Sequence, residues 1–329
     1  MNESHLFQSK IGQIIRCYLS VNQTLGRQFK TELMILTHLD KFLGLAGQDL
    51  TAESFNVWLH TKQNLTPTGR REWMRVTRNF CLYRQRSEPS CFIPDLLQFP
   101  KRGQPIQPYI FTESEIIHLL KAIQQLKFDT KNPLRKETYR LGLILLYTTG
   151  LRRGELVRLT VKDYNSIERT LLIQESKFHK SRLLPLSPDG WAELEILLKK
   201  RRKLHLPTNP ETPLLWHRSE KNGSYSKTGS WKIFHSLFHN ANIRTASGKI
   251  PRVHDLRHTF AVHVLLRWYR EGADVQSKLP ILATYMGHVS IASTQYYLRF
   301  IEEIANSANE LFEKHYGSLV ITPTERGAS

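Results

Sequence analysis

The stretch "LRKETYRLGLILLYTTGLRRGELVRL", residues 134–159, decides the fold of this chain. Between residues 141 and 147 apolar side chains occupy more than one helical face, which is typical of a helix at the centre of a domain. Gly150 is the predicted end of that helix. Beyond it, Arg152 lies three residues before Glu155, which places both side chains on one face of a turn. The pair predicts either a salt bridge at a helix start or a carboxylate that orients a functional guanidinium.

The segments around this helix predict a mainly α fold with a small β-sheet, an α+β domain. Upstream, "FTESEIIHLLKAIQQL" (111–126) opens with a capping box formed by Thr112 and Glu115. Downstream, "TLLIQ" (170–174) and "RLLPL" (182–186) are short β-like runs that predict a hairpin. Further segments with helical periodicity lie at 189–204, 230–243, 254–272, 291–297 and 300–317.

The first hundred residues predict a separate helical domain. Four segments in it have helical periodicity, and Thr51 is a plausible N-cap of the third. Five prolines lie between residues 88 and 108, and proline disrupts both helices and the hydrogen bonding of β-sheets. This part therefore predicts a linker. We therefore expect domains at 1–100 and 109–316, a linker at 101–108 and a disordered tail at 317–329.

The charge of the chain indicates a polyanionic partner. Lys and Arg number 47 against 29 acidic residues, which gives a net charge of +18. The last helical segment of the first domain, residues 69–86, is rich in arginine, and a basic "PKRG" (100–103) follows in the linker. These side chains either contact a phosphate backbone or form a solvated charged face. The candidate DNA-binding residues are Arg70, Arg71, Arg75, Arg78, Lys101 and Arg102.

Composition and targeting signals favour a reduced, cytoplasmic protein. The N-terminus has no basic-then-apolar signal pattern, and the longest apolar run, residues 141–147, is too short to cross a bilayer. The three cysteines, Cys17, Cys81 and Cys91, show no paired spacing and no zinc-site histidines beside them. We expect no structural metal and, given the charge, association with the nucleoid.

Two further segments combine cations with titratable groups. In "PRVHDLRHTFAVH" (251–263), His254, Arg257 and His258 fall at i, i+3 and i+4 on one helical surface. Two histidines at that spacing also suit zinc, although Arg257 would repel a cation. In "YMGHVSIASTQYYLRF" (285–300), His288 precedes two adjacent tyrosines, which serve either packing or nucleophilic chemistry.

Taken in order, "TGLRRGEL", "HDLRH" with "TFAVH", "MGH" and a tyrosine nine residues beyond its histidine resemble the active-site motifs of the tyrosine recombinases, the phage-integrase and Xer-like family. The resemblance covers residues 108–316 closely and the N-terminal region more loosely. A longer phrase between Arg257 and His288, "RWYREGADV", is similar to recombinases encoded in trios on mobile elements.

The resemblance implies roles for individual residues. Arg152 and Arg257 would clamp the scissile phosphate, with Glu155 supporting Arg152 and His254 handling protons between the arginines. His288 belongs to the same catalytic set, and the spacing from it selects Tyr297 as the nucleophile. Tyr296 is left to packing, since adjacent helical residues point about 100° apart.

The family's hairpin lysine aligns with Lys177 in "ESKFHKSRLLPL", where Ser176 and Phe178 replace the usual glycines. That departure leaves Lys180 as a substitute for the catalytic lysine or as a DNA contact.

The activity implied is site-specific DNA strand exchange through a 3′-phosphotyrosyl intermediate, for integration, excision or transposition of a mobile element. Guanidinium forks suit phosphoryl oxygens, so the scheme requires no cofactor or metal. The resemblance also implies a C-shaped clamp of two domains on double-stranded DNA with inverted-repeat core sites. Assembly as a homotetramer on DNA, or with related recombinases, would place residues 301–316 on a neighbouring protomer; packing on their own domain is the alternative. The rival functions are a catalytically inactive DNA-binding protein of the same fold and a type IB topoisomerase-like enzyme.

Overall fold

The computed structural model describes residues 7–26, 29–103, 106–130, 132–174, 181–218, 223–225 and 227–300. The chain divides into two compact units, Met1–Ile106 and Gln107–Ser329. Among the described residues, no helix combines the length and apolarity needed to span a membrane. Three predicted features lie outside the described residues: the hairpin lysines, the terminal segment 301–316 and the disordered tail 317–329.

The first unit is helical. Its helices are α1 (Gly12–Thr24), α2 (Lys30–Ala46), α3 (Ala52–His60) and α4 (Pro67–Arg84), followed by a short 3₁₀ turn at Leu96–Gln98. The predicted N-cap of α3 is confirmed, because Thr51 accepts a hydrogen bond from the Ser54 backbone N–H at 3.2 Å. One apolar core unites the four helices, and Phe55, Trp58 and Phe80 are among its fully buried side chains.

The second unit carries eight helices and a sheet within its described residues. The helices are α5 (Glu113–Gln124), α6 (Arg135–Thr149), α7 (Arg153–Arg158), α8 (Pro188–Lys203), α9 (Lys227–Asn240), α10 (Asp255–Arg270), α11 (Val275–Met286) and α12 (Ala292–Gln295). As the apolar run predicted, α6 is central: it packs against α5, α8 and α10. The capping box at the start of α5 is confirmed, with Glu115 accepting from the Thr112 backbone N–H at 2.8 Å.

The sheet is antiparallel with strand order β1 (Tyr164–Asn165), β2 (Thr170–Ile173) and β3 (Arg182–Pro185). The predicted hairpin is confirmed by the pairing of β2 with β3, and β1 is an additional strand. In the register of that pair Ile173 lies opposite Arg182 and Leu171 opposite Leu184. Because side chains alternate along a strand, Arg182 is on the same face as the buried Leu184. The sheet thus aims one arginine into the interior.

The fold class is confirmed: the chain is mainly helical with one small sheet. A smaller apolar core, separate from the main one of the second unit, joins α10 to α11 and includes Tyr297. The nucleophile candidate is therefore held by packing between these helices, on a short segment that begins with α12.

Candidate active site around the end of helix α11

The first arginine is placed by the turn between α6 and α7. Gly150 ends α6 with φ of +61°, and a Cβ there would lie 2.4 Å from Phe260 Cδ1, so both the backbone and the packing need glycine. Arg152 then precedes α7 and donates from Nη1 to Glu155 Oε1 at 2.8 Å. The predicted contact between the two is confirmed. It is no exposed salt bridge, because the Glu155 side chain is only 2% exposed.

A second arginine completes the environment of Glu155. Arg182 from β3 donates to Glu155 Oε1 at 3.1 Å and to Oε2 at 2.8 Å, a bidentate pair. Burial alone would raise the pKa of Glu155, but the hydrogen bonds and charge of Arg182 and Arg152 outweigh it and lower the pKa to about 2. The carboxylate is therefore ionised throughout the physiological range and fixes two guanidinium groups.

Three consecutive carbonyls at the end of α11 each accept a hydrogen bond from a different arginine. Arg182 Nε donates to Tyr285 O at 2.9 Å, Arg257 Nη2 to Met286 O at 2.7 Å, and Arg152 Nη2 to Gly287 O at 2.7 Å. A helix ends with carbonyls that lack helical partners and with partial negative charge, so cations stabilise this end. We call Tyr285, Met286 and Gly287 the carbonyl anchor.

Gly287 is required at this anchor. Its φ is +67°, and a Cβ at that position would lie 2.8 Å from Arg182 Nη1. A side chain would therefore strain the backbone and displace a guanidinium.

Arg257 is the most enclosed cation of the site. It lies on α10, is 2% exposed, and donates from Nη1 to Gly150 O at 2.6 Å. Desolvation and the neighbouring charge of Arg152 lower its pKa to about 9, which leaves it protonated at neutral pH. A guanidinium has five N–H groups, and the two bonds to Gly150 and Met286 use two of them.

Tyr297 lies beside these cations and is 3% exposed. Desolvation raises its pKa to about 12, against the opposing effect of Arg257 and Arg152. Its phenol is 2.9 Å from His258 Nδ1. Its ring stacks on His288, with centroids 6.3 Å apart and planes inclined by 17°. The acceptor nearest the phenol is therefore His258, which differs from the sequence interpretation that gave His254 this task.

The other two histidines have different neighbours. His288 Nδ1 is 2.7 Å from Thr294 Oγ1, and desolvation with the charges of Arg257 and Arg152 lowers its pKa to about 3. His254 is exposed at the start of α10, with its ring perpendicular to that of His258 at 4.8 Å. Partial desolvation, followed by the charges of Arg257 and Arg252, lowers its pKa. Both rings are neutral at pH 7.

Tyr296 has the packing role that the sequence predicted. Its ring contacts Tyr297 and Phe300 with centroids 5.6 Å away in both cases, and the Arg299 guanidinium lies 3.9 Å above it. The phenol of Tyr296 accepts a hydrogen bond from Arg299. The two adjacent tyrosines thus face different surroundings.

The candidate DNA-binding residues of the first unit divide into two groups. Arg71 and Arg78 donate to Pro100 O at 2.6 Å and Pro94 O at 2.5 Å, and Arg75 pairs with Glu72 at 2.6 Å. These three hold parts of their own unit. Lys101 and Arg102 are exposed and Arg70 is half-buried.

The structure brings together Arg152, Glu155, His254, Arg257, His288 and Tyr297 from separate segments of the second unit. Lys177 and Lys180 fall in residues 175–180, outside the described part. Within the described part, no group of three or more His, Cys, Asp or Glu residues is arranged to hold a metal ion.

Sequence reasoning assigned no function to Arg182 or His258. For Arg182 a signal existed, because this charged residue lies two positions before Leu184 and so shares the inward face of β3. For His258 the spacing from His254 was visible, but its contact with a tyrosine 39 residues away is tertiary.

Comparison with known proteins finds relatives among integrases and recombinases. The chain is 30% identical over 312 residues to the putative integrase/recombinase y4rB of Sinorhizobium fredii, covering 94% of this chain and 98% of that protein. It is 29% identical over 210 residues to the tyrosine recombinase XerA of Pyrococcus furiosus, covering 62% and 63% of the two chains.

Solved structures show the same fold. A XerH site-specific recombinase bound to a palindromic difH substrate matches with a TM-score of 0.60 and 19% identity, over 86% of this chain and 79% of that one. The Tn1549 transposon integrase in complex with transposon right end DNA matches with a TM-score of 0.57 and 17% identity, over 86% and 94%. Residues 110–303 match the phage integrase family. With that match spanning the carbonyl anchor and every cation around it, the chain belongs to the phage integrase family.

Proposed function

We propose that this protein is a site-specific DNA recombinase that cleaves and rejoins DNA strands through a 3′-phosphotyrosyl intermediate. The observation that carries the proposal is the position of Tyr297, enclosed beside Arg257 and Arg152 at the end of α11. A tyrosine phenol is a weak nucleophile at neutral pH and needs cations and a proton acceptor beside it. This site supplies both.

Arg152 and Arg257 act as clamps on the scissile phosphate. Attack on a phosphodiester spreads negative charge over the non-bridging oxygens, and planar guanidinium forks match those oxygens. Glu155 and the carbonyl anchor fix the two arginines before substrate arrives, so little reorganisation accompanies the reaction. Arg182 contributes as a positioning residue, because it holds Glu155 and Tyr285 O together.

The leaving 5′-oxygen takes its proton from the hairpin lysine, Lys177, with Lys180 as the substitute. His254 and His288 complete the catalytic set, and both are neutral at pH 7, able to exchange a proton or a hydrogen bond with the phosphate. The products are a covalent enzyme–DNA link and a free 5′-hydroxyl. The 3′-phosphotyrosyl bond conserves the energy of the broken phosphodiester, and the rejoining step uses that energy.

The substrate is double-stranded DNA with inverted-repeat core sites, and the outcome is integration, excision or transposition of a mobile element. The net charge of +18 and the DNA-bound state of the XerH and Tn1549 structures support this choice. Residues 1–100 serve as the core-site binding domain and residues 109–316 as the catalytic domain. Each inverted-repeat core site has two halves, so two core sites engage four active sites in a homotetramer or in a mixed assembly with related recombinases. The reaction takes place at the nucleoid.

The test is a suicide substrate built from the inverted repeats that flank the gene. A duplex nicked a few nucleotides past the cleavage position traps the covalent link, which a denaturing gel resolves. We expect an adduct with the natural protein and with Tyr296→Phe, and none with Tyr297→Phe. An adduct retained by Tyr297→Phe would disprove the assignment, and absence of any adduct while the duplex is bound would favour a DNA-binding protein without catalysis.

A further inference from the structure

Among the described residues, the hydrogen-bond partner of the Tyr297 phenol is a ring nitrogen of His258. His258 Nδ1 lies 2.9 Å from the phenolic oxygen, which is a normal length for a phenol hydrogen bond to nitrogen. Proton transfer to His258 requires the tautomer in which the phenol donates, Nδ1 accepts and the ring carries its hydrogen on Nε2. His258 is half-buried and follows Arg257 directly on α10.

The neighbouring histidines are placed for other tasks. His288 stacks nearly parallel on the Tyr297 ring, and its Nδ1 faces Thr294 at 2.7 Å. His254 contacts His258, against which its ring stands perpendicular with centroids 4.8 Å apart. Geometry therefore singles out His258.

We propose that His258 is a catalytic residue that accepts the phenolic proton of Tyr297 when the tyrosine attacks DNA. The inference rests on the proposed function. In the cleavage step the bond between the Tyr297 oxygen and phosphorus forms while the phenolic proton moves to His258 Nδ1. The bond from phosphorus to the 5′-oxygen breaks, and that oxygen takes a proton from the hairpin lysine. In rejoining, the 5′-hydroxyl attacks phosphorus and its proton returns to the lysine, while the bond from phosphorus to the tyrosine oxygen breaks and imidazolium His258 returns its proton to that oxygen.

The charges around His258 keep it an acceptor before DNA binds. Desolvation lowers its pKa to about 4, and His254, Arg252 and Arg257 face it with effects in the same direction, opposed by Asp255. The ring is therefore neutral at pH 7, with the Nδ1 lone pair directed to the phenol. A bound phosphate adds negative charge beside these cations, which favours the imidazolium that the step creates.

The decisive experiment compares two reactions, one that needs Tyr297 and one that does not. The first is adduct formation on the nicked duplex. The second is joining of a 5′-hydroxyl strand to a duplex end carrying a 3′-p-nitrophenyl phosphate, catalysed by the Tyr297→Phe protein. Nitrophenolate leaves without protonation, so this joining uses the phosphate clamps but neither the nucleophile nor its proton acceptor.

His258→Gln should slow adduct formation by about 100-fold or more, within the range for removal of a general base. In the Tyr297→Phe background the same change should leave joining of the nitrophenyl end within about twofold, since the general-base effect no longer enters. The matched control is His263→Gln on the same helix, whose histidine contacts Tyr147 instead; it should change neither reaction. Equal losses in both reactions would show that His258 serves the clamps or the fold, and an unchanged cleavage rate would show that it has no role.

A measurement without DNA separates this inference from the proposed function. Nitrogen-15 NMR of the histidine rings should show His258 as the Nε2–H tautomer, with an Nδ1 shift that changes in Tyr297→Phe. If that shift is unaffected, the hydrogen bond is absent and the inference fails, whatever DNA does. If the natural protein forms no adduct on DNA while the shift responds, the proposed function fails instead. This arm also decides the matter should His258→Gln not fold.

Discussion

Helix α10 carries two histidines five residues apart, each paired with a tyrosine from another segment, and the surroundings of the two pairs differ. His258 meets Tyr297 at 2.9 Å and His263 meets Tyr147 at 3.2 Å, each through Nδ1. The first pair lies among Arg257, Arg152 and the carbonyl anchor. The second lines a cavity of about 810 Å³. The more accessible pair is thus the one outside the candidate site.

The charges that face the two phenols also differ. Desolvation raises the pKa of both tyrosines; Arg257 and Arg152 counteract it at Tyr297, whereas at Tyr147 Glu113 reinforces it and Arg267 opposes it. Phenolate character is favoured by cations and opposed by a carboxylate. We therefore expect the two guanidinium groups beside Tyr297, and not a histidine–tyrosine hydrogen bond alone, to distinguish the proposed nucleophile.

The largest effect should come from removing a cation from the first pair. Arg152→Ala should lower the rate of adduct formation by about 10²- to 10³-fold, the range for loss of one donor to a developing oxyanion. Because the Arg152 side chain is 26% exposed, we expect the protein to remain folded. Single-turnover cleavage of the nicked duplex measures the rate, with Arg153→Ala as control. A loss below tenfold would contradict a clamp role.

The next effect concerns stability. Arg182→Ala leaves the buried carboxylate of Glu155 with Arg152 as its remaining guanidinium, and breaking a buried pair from one side costs about 3 kcal/mol. Denaturant unfolding should show this loss for the second unit. The control, Lys200→Ala, removes a solvent-exposed pair with Glu137 and should cost at most about 0.5 kcal/mol. Similar losses of unfolding free energy in the two variants would show that Arg182 does not stabilise the second unit through Glu155.

The pH dependence of stability should separate the two histidines. In the unfolded chain a histidine pKa is about 6.5, whereas His258 has a pKa of about 4 when folded. As the pH falls from about 6.5 to about 4 the unfolded state binds the proton first, so stability decreases. Across this range the midpoint temperature of thermal unfolding should depend less on pH in His258→Gln than in the natural protein. The reduction should be smaller in His263→Gln, where desolvation lowers the histidine pKa but Glu113 opposes the change. Equal slopes in both variants would refute this account.

The smallest effect belongs to the second pair. Tyr147→Phe removes one hydrogen bond at the edge of a cavity, which should lower the free energy of unfolding by about 1 kcal/mol. Adduct formation should stay unchanged, in contrast to its loss in Tyr297→Phe. If Tyr147→Phe also blocked adduct formation, the two pairs would not differ in their importance for cleavage.

How much of this site follows from sequence depends on the distance between the partners. The end of α6 at Gly150 and the contact of Arg152 with Glu155 are local, so periodicity and spacing predicted both. The contacts of Arg182 and of His258 join segments far apart in the chain, and no local period encodes them. In α4 the helical pattern identified a basic face, but not that Arg71 and Arg78 bind carbonyls of their own unit.

The carbonyl anchor also bears on how the chain can change length. Three guanidinium groups from three other elements fix the end of α11, and His288 follows it immediately. The turn between α10 and α11, residues 271–274, lies at the opposite end of that helix, and Pro280 interrupts its hydrogen-bond ladder on the way. We therefore expect residues added in that turn to shift the start of α11 and to leave its anchored end, with His288, in place, as the longer "RWYREGADV" phrase requires. One residue inserted after Gly287 should instead displace both His288 and Tyr297 from the cations.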